Sequence, residues 1–90
     1  RALGKNSLAY VLVKTSPRQH QRVLKVLSNI DEIYEIYDVT GEYQILLRIL
    51  VENRLRLSEI VNRIRKVNGV REVYVLYVLS VIKEEKTVKV

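Results

Sequence analysis

The chain of 90 residues is long enough for one domain, and a hydrophobic content of 48% with three Gly and one Pro argues against disorder. The absence of Cys excludes disulfides, thiolate metal sites and Cys nucleophiles, and a single His makes a metal site unexpected. The formal net charge of +6 lies mainly on two segments with helical periodicity, which is typical of solvated helix faces rather than of a nucleic-acid-binding stripe.

The sequence shows neither a membrane segment nor an export signal. Its longest uninterrupted apolar run, residues 73–79, is far shorter than a membrane span, and no signal-peptide pattern opens the chain. We therefore expect a cytoplasmic protein that has no contact with a membrane. Because the chain contains no Met, even at its first residue, we expect a processed or trimmed product.

The first predicted elements are a short strand and a helix. Residues 1–7 are expected to form a connector, and the apolar run at 8–13 predicts a strand. Ser16 followed by Pro17 is a typical helix start, because Ser is a favoured cap and Pro is favoured at the first helical position. Apolar residues then recur at the spacing i, i+3, i+4 and i+7, namely Val23, Val26, Leu27 and Ile30. We expect the helix to end near Asn29.

Residues 33–51 predict a β-hairpin whose two apolar arms are joined at Thr40, Gly41 and Glu42. The Gly stands where a tight connection requires a positive φ. The second arm is apolar on both sides, since Leu46 and Leu50 alternate with other aliphatic residues. A strand of this kind needs cover on both faces, and a chain of this length has too few helices to provide it.

A second helix and a last strand complete the chain. Asn53 is a plausible cap, and the helical spacing recurs at Leu57, Ile60, Val61 and Ile64. Asn68 and Gly69 form a typical helix end. Residues 70–82 predict the last strand, and residues 83–90 a charged tail.

The order of these elements predicts an α+β fold of the ferredoxin-like βαββαβ type, formed by residues 8–82. Right-handed crossovers place both helices on one face of a four-stranded antiparallel sheet and leave the other face bare. Each large apolar side chain left in water there would forgo about 1.5–3 kcal/mol of burial. We therefore predict that the protein dimerises through the sheet. The residues expected at this interface are Tyr10, Leu46, Leu50, Tyr74, Leu76 and Val78.

Three segments carry a family resemblance: Leu-Ala-Tyr-Val-Leu-Val at 8–13, Tyr-Glu-Ile-Tyr-Asp-Val-Thr-Gly-Glu-Tyr at 34–43 and Val-Asn-Gly-Val at 67–70. Together with the element order, they resemble the effector domain of leucine-responsive/asparagine-regulator (Lrp/AsnC) transcription factors, also called the regulation-of-amino-acid-metabolism (RAM) domain. The resemblance covers nearly the whole chain. It implies a non-catalytic domain, without cofactor, that senses an effector and assembles into dimers and then into rings, from tetramers to octamers or more.

The resemblance also implies where an effector binds. In the family, amino acids or related small molecules bind between dimers near the hairpin, which here corresponds to Thr40, Gly41, Glu42, Tyr43 and Gln44. The family usually has Asp at the position of Gln44 and often Thr near that of Val75. A changed effector, or a purely structural assembly domain without a ligand, is therefore an open alternative.

The family normally carries an N-terminal helix-turn-helix unit, which these residues do not contain. Residues 1–4 resemble the connector that follows this unit. The resemblance thus implies either a stand-alone effector domain or the C-terminal part of a regulator, with full-length regulators as possible partners. We expect no sequence-specific DNA binding by this chain itself.

Two other classes of function, an RNA-binding module and an enzyme, fit the sequence less well. An RNA-binding module shares this fold, but it would present stacking aromatics on strands one and three, whereas only Tyr10 and, at the mouth of strand three, Tyr43 are available. An enzyme would need a nucleophile–base pair, and none is apparent. His20 lies among charged residues early in the first helix, where an exposed surface histidine is expected, so we predict no catalytic residue.

Overall fold

The structure, a computed structural model, describes residues 7–85 and contains the predicted βαββαβ order. The strands are β1 (Ser7–Thr15), β2 (Ile33–Asp38), β3 (Ile45–Val51) and β4 (Val70–Tyr77). A 3₁₀ turn (Pro17–Gln19) leads into helix α1 (His20–Leu27), and helix α2 (Arg54–Arg65) connects β3 to β4. Of the predicted connector only Ser7, and of the predicted tail only residues 83–85, lie within the described part of the chain.

The four strands form one antiparallel sheet in the order β2-β3-β1-β4, which confirms the ferredoxin-like prediction. Strand β1 pairs with β3 from Ser7–Val51 to Val13–Ile45, and its other edge pairs with β4. Strands β2 and β4 are therefore the two edges of the sheet. This order places the long β2–β3 hairpin at one edge and brings the β4 residues next to β1.

One face of the sheet carries the core. Alternate residues of β1 and β3 point towards the helices and are fully buried, namely Ala9, Val11, Val13, Ile45, Leu47 and Ile49. Helix α1 adds Val23 and Leu27, and helix α2 adds the four residues predicted from its periodicity. The period of two in the strands and of 3.6 in the helices thus identifies nearly the whole core.

The predicted buried face of α1 is wrong at Val26, which is 37% exposed, whereas Leu24 packs against the core. The helix ends at Leu27, so Ile30 reaches the core through the following turn and is outside the helical repeat. The face of α1 that packs against the core is therefore formed by Val23, Leu24 and Leu27, and Val26 lies at the margin of this face.

The predicted end of β4 near residue 82 is also wrong, since the strand ends at Tyr77. Its last bond to β1 runs from the Val78 N–H to the Leu8 carbonyl, at 3.0 Å. Strand β1 is the only neighbour of β4 in the sheet, and the last paired residues of the ladder are Ala9 and Tyr77. Leu79 and Ile82 beyond this point are 86% and 91% exposed.

The helix ends follow the predicted signals in part. The Asn53 side chain caps α2 by accepting a hydrogen bond from the Arg56 N–H at 2.9 Å. Ser16 precedes the 3₁₀ turn, but its carbonyl, not its side chain, accepts the Gln19 N–H. The predicted glycine end of α2 at Asn68 and Gly69 is wrong, because the helix ends at Arg65 with Lys66 as its C-cap. Gly69, with a φ of +106°, lies in the following turn, which the bond from the Val70 N–H to the Val67 carbonyl closes.

An ion pair joins the entry to β2 to helix α2. The Arg56 guanidinium donates from Nε and Nη2 to Glu32 Oε2 at 2.8 and 2.7 Å, and from Nη1 to Glu59 at 3.1 Å. The hydrogen bonds from Arg56 lower the pKa of the Glu32 carboxyl below its ordinary value. Among residues 7–85, neither helix is long and apolar enough to cross a membrane.

Candidate functional site

The sheet face opposite the helices is not covered by the described chain, and we call it the open face. The antiparallel register arranges its side chains in rows across the strands. One row contains, from β2 to β4, Tyr37, Leu46, Leu12 and Tyr74. The next contains Glu35, Arg48, Tyr10 and Leu76. A third contains Leu50, Leu8 and, just after β4, Val78.

All six residues predicted for the dimer interface lie on the open face. Tyr74 and Leu76 are 52% and 44% exposed, and the other four are partly exposed. The prediction missed Leu12 and Tyr37, which lie on the same face, although the period-two alternation of β1 was sufficient to include Leu12. Central strand β3 contributes no aromatic ring to this face, which differs from the stacking platform of an RNA-binding sheet.

The connection between β2 and β3, residues 39–44, forms the second candidate element, and we call it the hairpin loop. Gly41 has a φ of +121° there, as the sequence predicts. The loop is closed by two backbone bonds of 3.0 Å, from the Val39 N–H to the Gln44 carbonyl and from the Gln44 N–H to the Val13 carbonyl. Within residues 7–85, the N–H groups of the four residues 40–43 donate to no backbone carbonyl. These groups can therefore bind an anionic oxygen.

Gln44 holds the hairpin loop from inside. Its Oε1 accepts the Thr15 N–H at 2.9 Å, and its Nε2 donates to the carbonyls of Gly41 and Glu42, both at 3.2 Å. The amide side chain thus shapes the loop through its own hydrogen bonds. A carboxylate, which the resemblance leads one to expect at this position, could accept the Thr15 N–H but could not donate to the two carbonyls.

Tyr43 connects the hairpin loop to the open face. Its hydroxyl donates to Glu72 Oε1 at 3.2 Å, and its ring lies 6.3 Å from that of Tyr74. Lys14 lies 5.6 Å from the ring centroid and 3.6 Å from Glu72. Loss of solvent and the Glu72 carboxylate raise the pKa of the Tyr43 phenol, so the hydroxyl keeps its hydrogen and donates it.

A cleft of about 610 Å³ opens between the hairpin loop, the end of β1 and the start of α1. Three of the five predicted ligand residues, Gly41, Glu42 and Gln44, line this cleft. Thr40 is exposed outside it, and Tyr43 contacts β4 instead. The prediction missed the other charged groups of the lining, which are Lys14, Asp38 and Arg71. Two cations and two carboxylates therefore face the same space.

His20 also lines the cleft, and the prediction of an exposed surface histidine is wrong. Its side chain is 18% exposed, and both ring nitrogens are hydrogen-bonded: Nδ1 to Thr15 Oγ1 and Nε2 to Asp38 Oδ1, each at 2.7 Å. These partners lie at the ends of β1 and β2, and only the fold brings them to the start of α1. Residues 7–85 contain no group of three or more His, Asp or Glu side chains arranged to hold a metal ion.

Residues 8–88 match the family model of the Lrp/AsnC ligand binding domain. The open βαββαβ sheet is thus that of the Lrp/AsnC ligand binding domain, and the chain belongs to the Lrp/AsnC family. The resemblance found in the sequence is confirmed.

A curated relative is the helix-turn-helix-type transcriptional regulator FL11 of Pyrococcus furiosus, which is 32% identical over 83 residues. The match covers 92% of this chain and 55% of the relative. The chain thus spans about half the length of the curated relatives it matches. These relatives are named as transcriptional regulators.

Solved structures show the same fold. A transcriptional regulator from Neisseria meningitidis, in complex with L-methionine, has a TM-score of 0.86 at 18% identity, covering 98% of this chain and 59% of that one. A feast or famine regulatory protein from M. tuberculosis, also complexed with L-methionine, has a TM-score of 0.80 at 25% identity, covering 96% and 58%. The first of these comparisons supports the fold alone.

Proposed function

We propose that this domain senses an amino acid or a related small molecule at the hairpin loop and assembles with further copies through the open face, without catalysis, in the cytoplasm. The observation that carries the proposal is the set of N–H groups at residues 40–43 that donate to no backbone carbonyl within residues 7–85, two of which belong to Gly41 and Glu42 in the lining of a cleft with opposed charges. The affiliation with the Lrp/AsnC ligand binding domain agrees with this assignment.

The chemistry of the cleft suits a zwitterion. Consecutive backbone N–H groups next to a Gly attract a carboxylate, and Arg71 and Lys14 add positive charge to the cleft lining. Asp38 and Glu42 provide carboxylates for an ammonium group. The M. tuberculosis relative, with 25% identity, was solved with L-methionine, which makes this amino acid a reasonable first ligand to test.

The open face supports self-association. Large apolar side chains form two rows across it, and the row between them adds Tyr10 and Leu76 beside Glu35 and Arg48. Each large apolar side chain gains about 1.5–3 kcal/mol when it moves from water into a packed interface. A contiguous apolar patch of this kind marks an interaction surface. A second copy carries the same rows, so two open faces related by a two-fold axis bring apolar side chains together from both copies. We propose a dimer through this face, with rings of dimers as the larger assembly.

Tyr43 provides a path between the two surfaces, because it belongs to the hairpin loop and contacts Tyr74 of the open face. A ligand at the loop would change the assembly only by the difference between its affinities for the two assembled states. In transcription regulation, that change would move DNA-binding units supplied by the rest of a longer chain or by full-length regulators. The domain itself would make no sequence-specific contact with DNA.

Amino acids are expected to raise the melting temperature of the protein. A ligand at one hundred times its Kd adds about 2.7 kcal/mol to the stability of the folded state. L-methionine is tested first, followed by the other amino acids. The Arg71→Ala variant should lose at least about tenfold in affinity, because a charged partner of the carboxylate is removed.

The matched control is Lys66→Ala, which removes an exposed cation at the end of α2, outside the lining of the cleft. It should leave the affinity unchanged. If no amino acid shifts the melting temperature, the sensing proposal is wrong and a purely structural assembly domain is left.

A further inference from the structure

Four residues connect the two ends of the hairpin loop through hydrogen bonds, Thr15 with its hydroxyl on one side and its backbone N–H on the other. Asp38 precedes the loop and bonds His20; His20 bonds Thr15; and the Thr15 N–H donates to Gln44 at the end of the loop. We call the chain Asp38–His20–Thr15–Gln44 the clasp. Together with the backbone from 38 to 44, the clasp closes a ring, and His20 is the one member of it that lies on a helix.

The hydrogen-bond pattern defines the neutral state of His20. A carboxylate can only accept, so Nε2 carries the hydrogen and donates it to Asp38. Nδ1 then has a free lone pair and accepts the hydrogen of the Thr15 hydroxyl. Thr15 is 4% exposed, and so water has little access to its hydroxyl.

Protonation of the imidazole changes both ends of this arrangement. The bond from Nε2 to Asp38 becomes charge-assisted and therefore stronger. Nδ1 becomes a donor, and the Thr15 hydroxyl must turn its own hydrogen towards another acceptor. One proton on His20 thus changes its bonds to both Asp38, which precedes the hairpin loop, and Thr15, whose N–H is bonded to Gln44.

The surroundings of His20 leave Asp38 as its direct charged partner. Lys14 of β1, Glu42 of the hairpin loop and Arg71 near the start of β4 line the same cleft, and Lys14 is within 3.6 Å of Glu72. On the histidine's own side, Arg18 and Arg22 are exposed to solvent. The contact at 2.7 Å with Asp38 is the charged interaction that a proton on His20 changes most directly.

We propose that His20 is a positioning residue for the hairpin loop, and that the conformation of the loop follows the protonation of this imidazole. Imidazole is the side chain most suited to such a switch near neutral pH. The consequence for ligand binding rests on the proposed function. The proposal itself concerns the loop in the ligand-free protein, so either can fail while the other stands.

The test is an NMR titration of the ligand-free chain between about pH 5 and 8.5, the range in which imidazoles change charge. The chain has one His, so its ring signals are unambiguous. The amide signals of residues 40–43 are expected to shift with the midpoint of the His20 ring. In His20→Gln, whose amide can still donate to Asp38 but does not titrate, this shared transition should disappear while the loop remains ordered.

Hydrogen exchange provides the second measurement, with the bonded amides of Val39 and Gln44 as reporters of loop order. In His20→Ala, their protection is expected to fall roughly five- to tenfold, as for the loss of one hydrogen bond, and His20→Gln should restore most of it. The proposal would be overturned if the amide signals of residues 40–43 did not shift with the His20 ring. It would also be overturned if the hydrogen-exchange protection of Val39 and Gln44 were unchanged in His20→Ala. A shared transition that persists in His20→Gln would overturn it as well.

Discussion

Replacement of Leu76 by Glu is expected to convert the assembled protein into monomers. Leu76 lies beside Tyr10 on the open face and is 44% exposed, so the charge is tolerated by the single chain. In a dimer that pairs two open faces, the carboxylate would be buried without a partner, at a cost of several kcal/mol. Two-fold symmetry doubles the effect. A loss of about 4 kcal/mol raises the dissociation constant roughly a thousandfold.

Light scattering and sedimentation velocity measure this change. The matched control is Leu55→Glu, which places the same charge at a residue that is 70% exposed on α2. It should leave the mass in solution unchanged, and circular dichroism should show that both variants fold. The interface prediction is wrong if Leu76→Glu keeps the mass of the unchanged chain, or if Leu55→Glu dissociates the assembly equally well.

Replacement of Gly69 by Ala is expected to destabilise the fold strongly. Gly69 has a φ of +106°, which L residues rarely adopt, and its carbonyl accepts the Ser16 N–H at 2.9 Å. A Cβ atom there would overlap the Gln19 side chain and lie 3.0 Å from Val23 Cγ2. Backbone strain and displacement of the 3₁₀ turn should together cost about 3 kcal/mol or more. In a domain of this size, that lowers the melting temperature by about 12 °C or more.

Gly41→Ala is the matched comparison, since Gly41 has a φ of +121° but nothing within 4 Å of the added Cβ. Only the backbone strain of about 1–3 kcal/mol applies there. The melting temperature of Gly69→Ala should therefore be well below that of Gly41→Ala. Equal melting temperatures would show that the close approach of Gly69 to Gln19 contributes nothing to stability.

Much of the fold follows from local sequence patterns. The period-two alternation of β1 and β3 separates the core from the open face, and the Asn53 cap marks the start of α2 where the structure has it. These features depend on residues close together in sequence, so one sequence is sufficient to predict them.

The predictions failed where a feature depends on distant residues. The last strand ends at Tyr77, where its pairing with β1 stops, although the apolar run continues to residue 79. Val26 is exposed because α1 ends before Ile30 can extend its repeat. Strand pairing and helix length decide both outcomes, and neither is encoded in the local pattern alone.

The candidate site was predicted only in part for the same reason. The hairpin loop that the resemblance indicates borders a cleft, and the cations of the cleft lining come from β1 and β4. His20 and Asp38 are 18 residues apart, and nothing near either residue indicates their contact. Gln44 looked like a ligand contact because its neighbours match the family pattern, whereas its side chain holds the loop from inside.

Sedimentation equilibrium of the unmodified chain at micromolar concentration is the most direct test of self-assembly through the open face. We expect twice the mass of one chain, or an even multiple of it, because the proposed dimer buries the open-face residues Tyr10, Leu46 and Tyr74. A single species with the mass of one chain would contradict the proposed assembly.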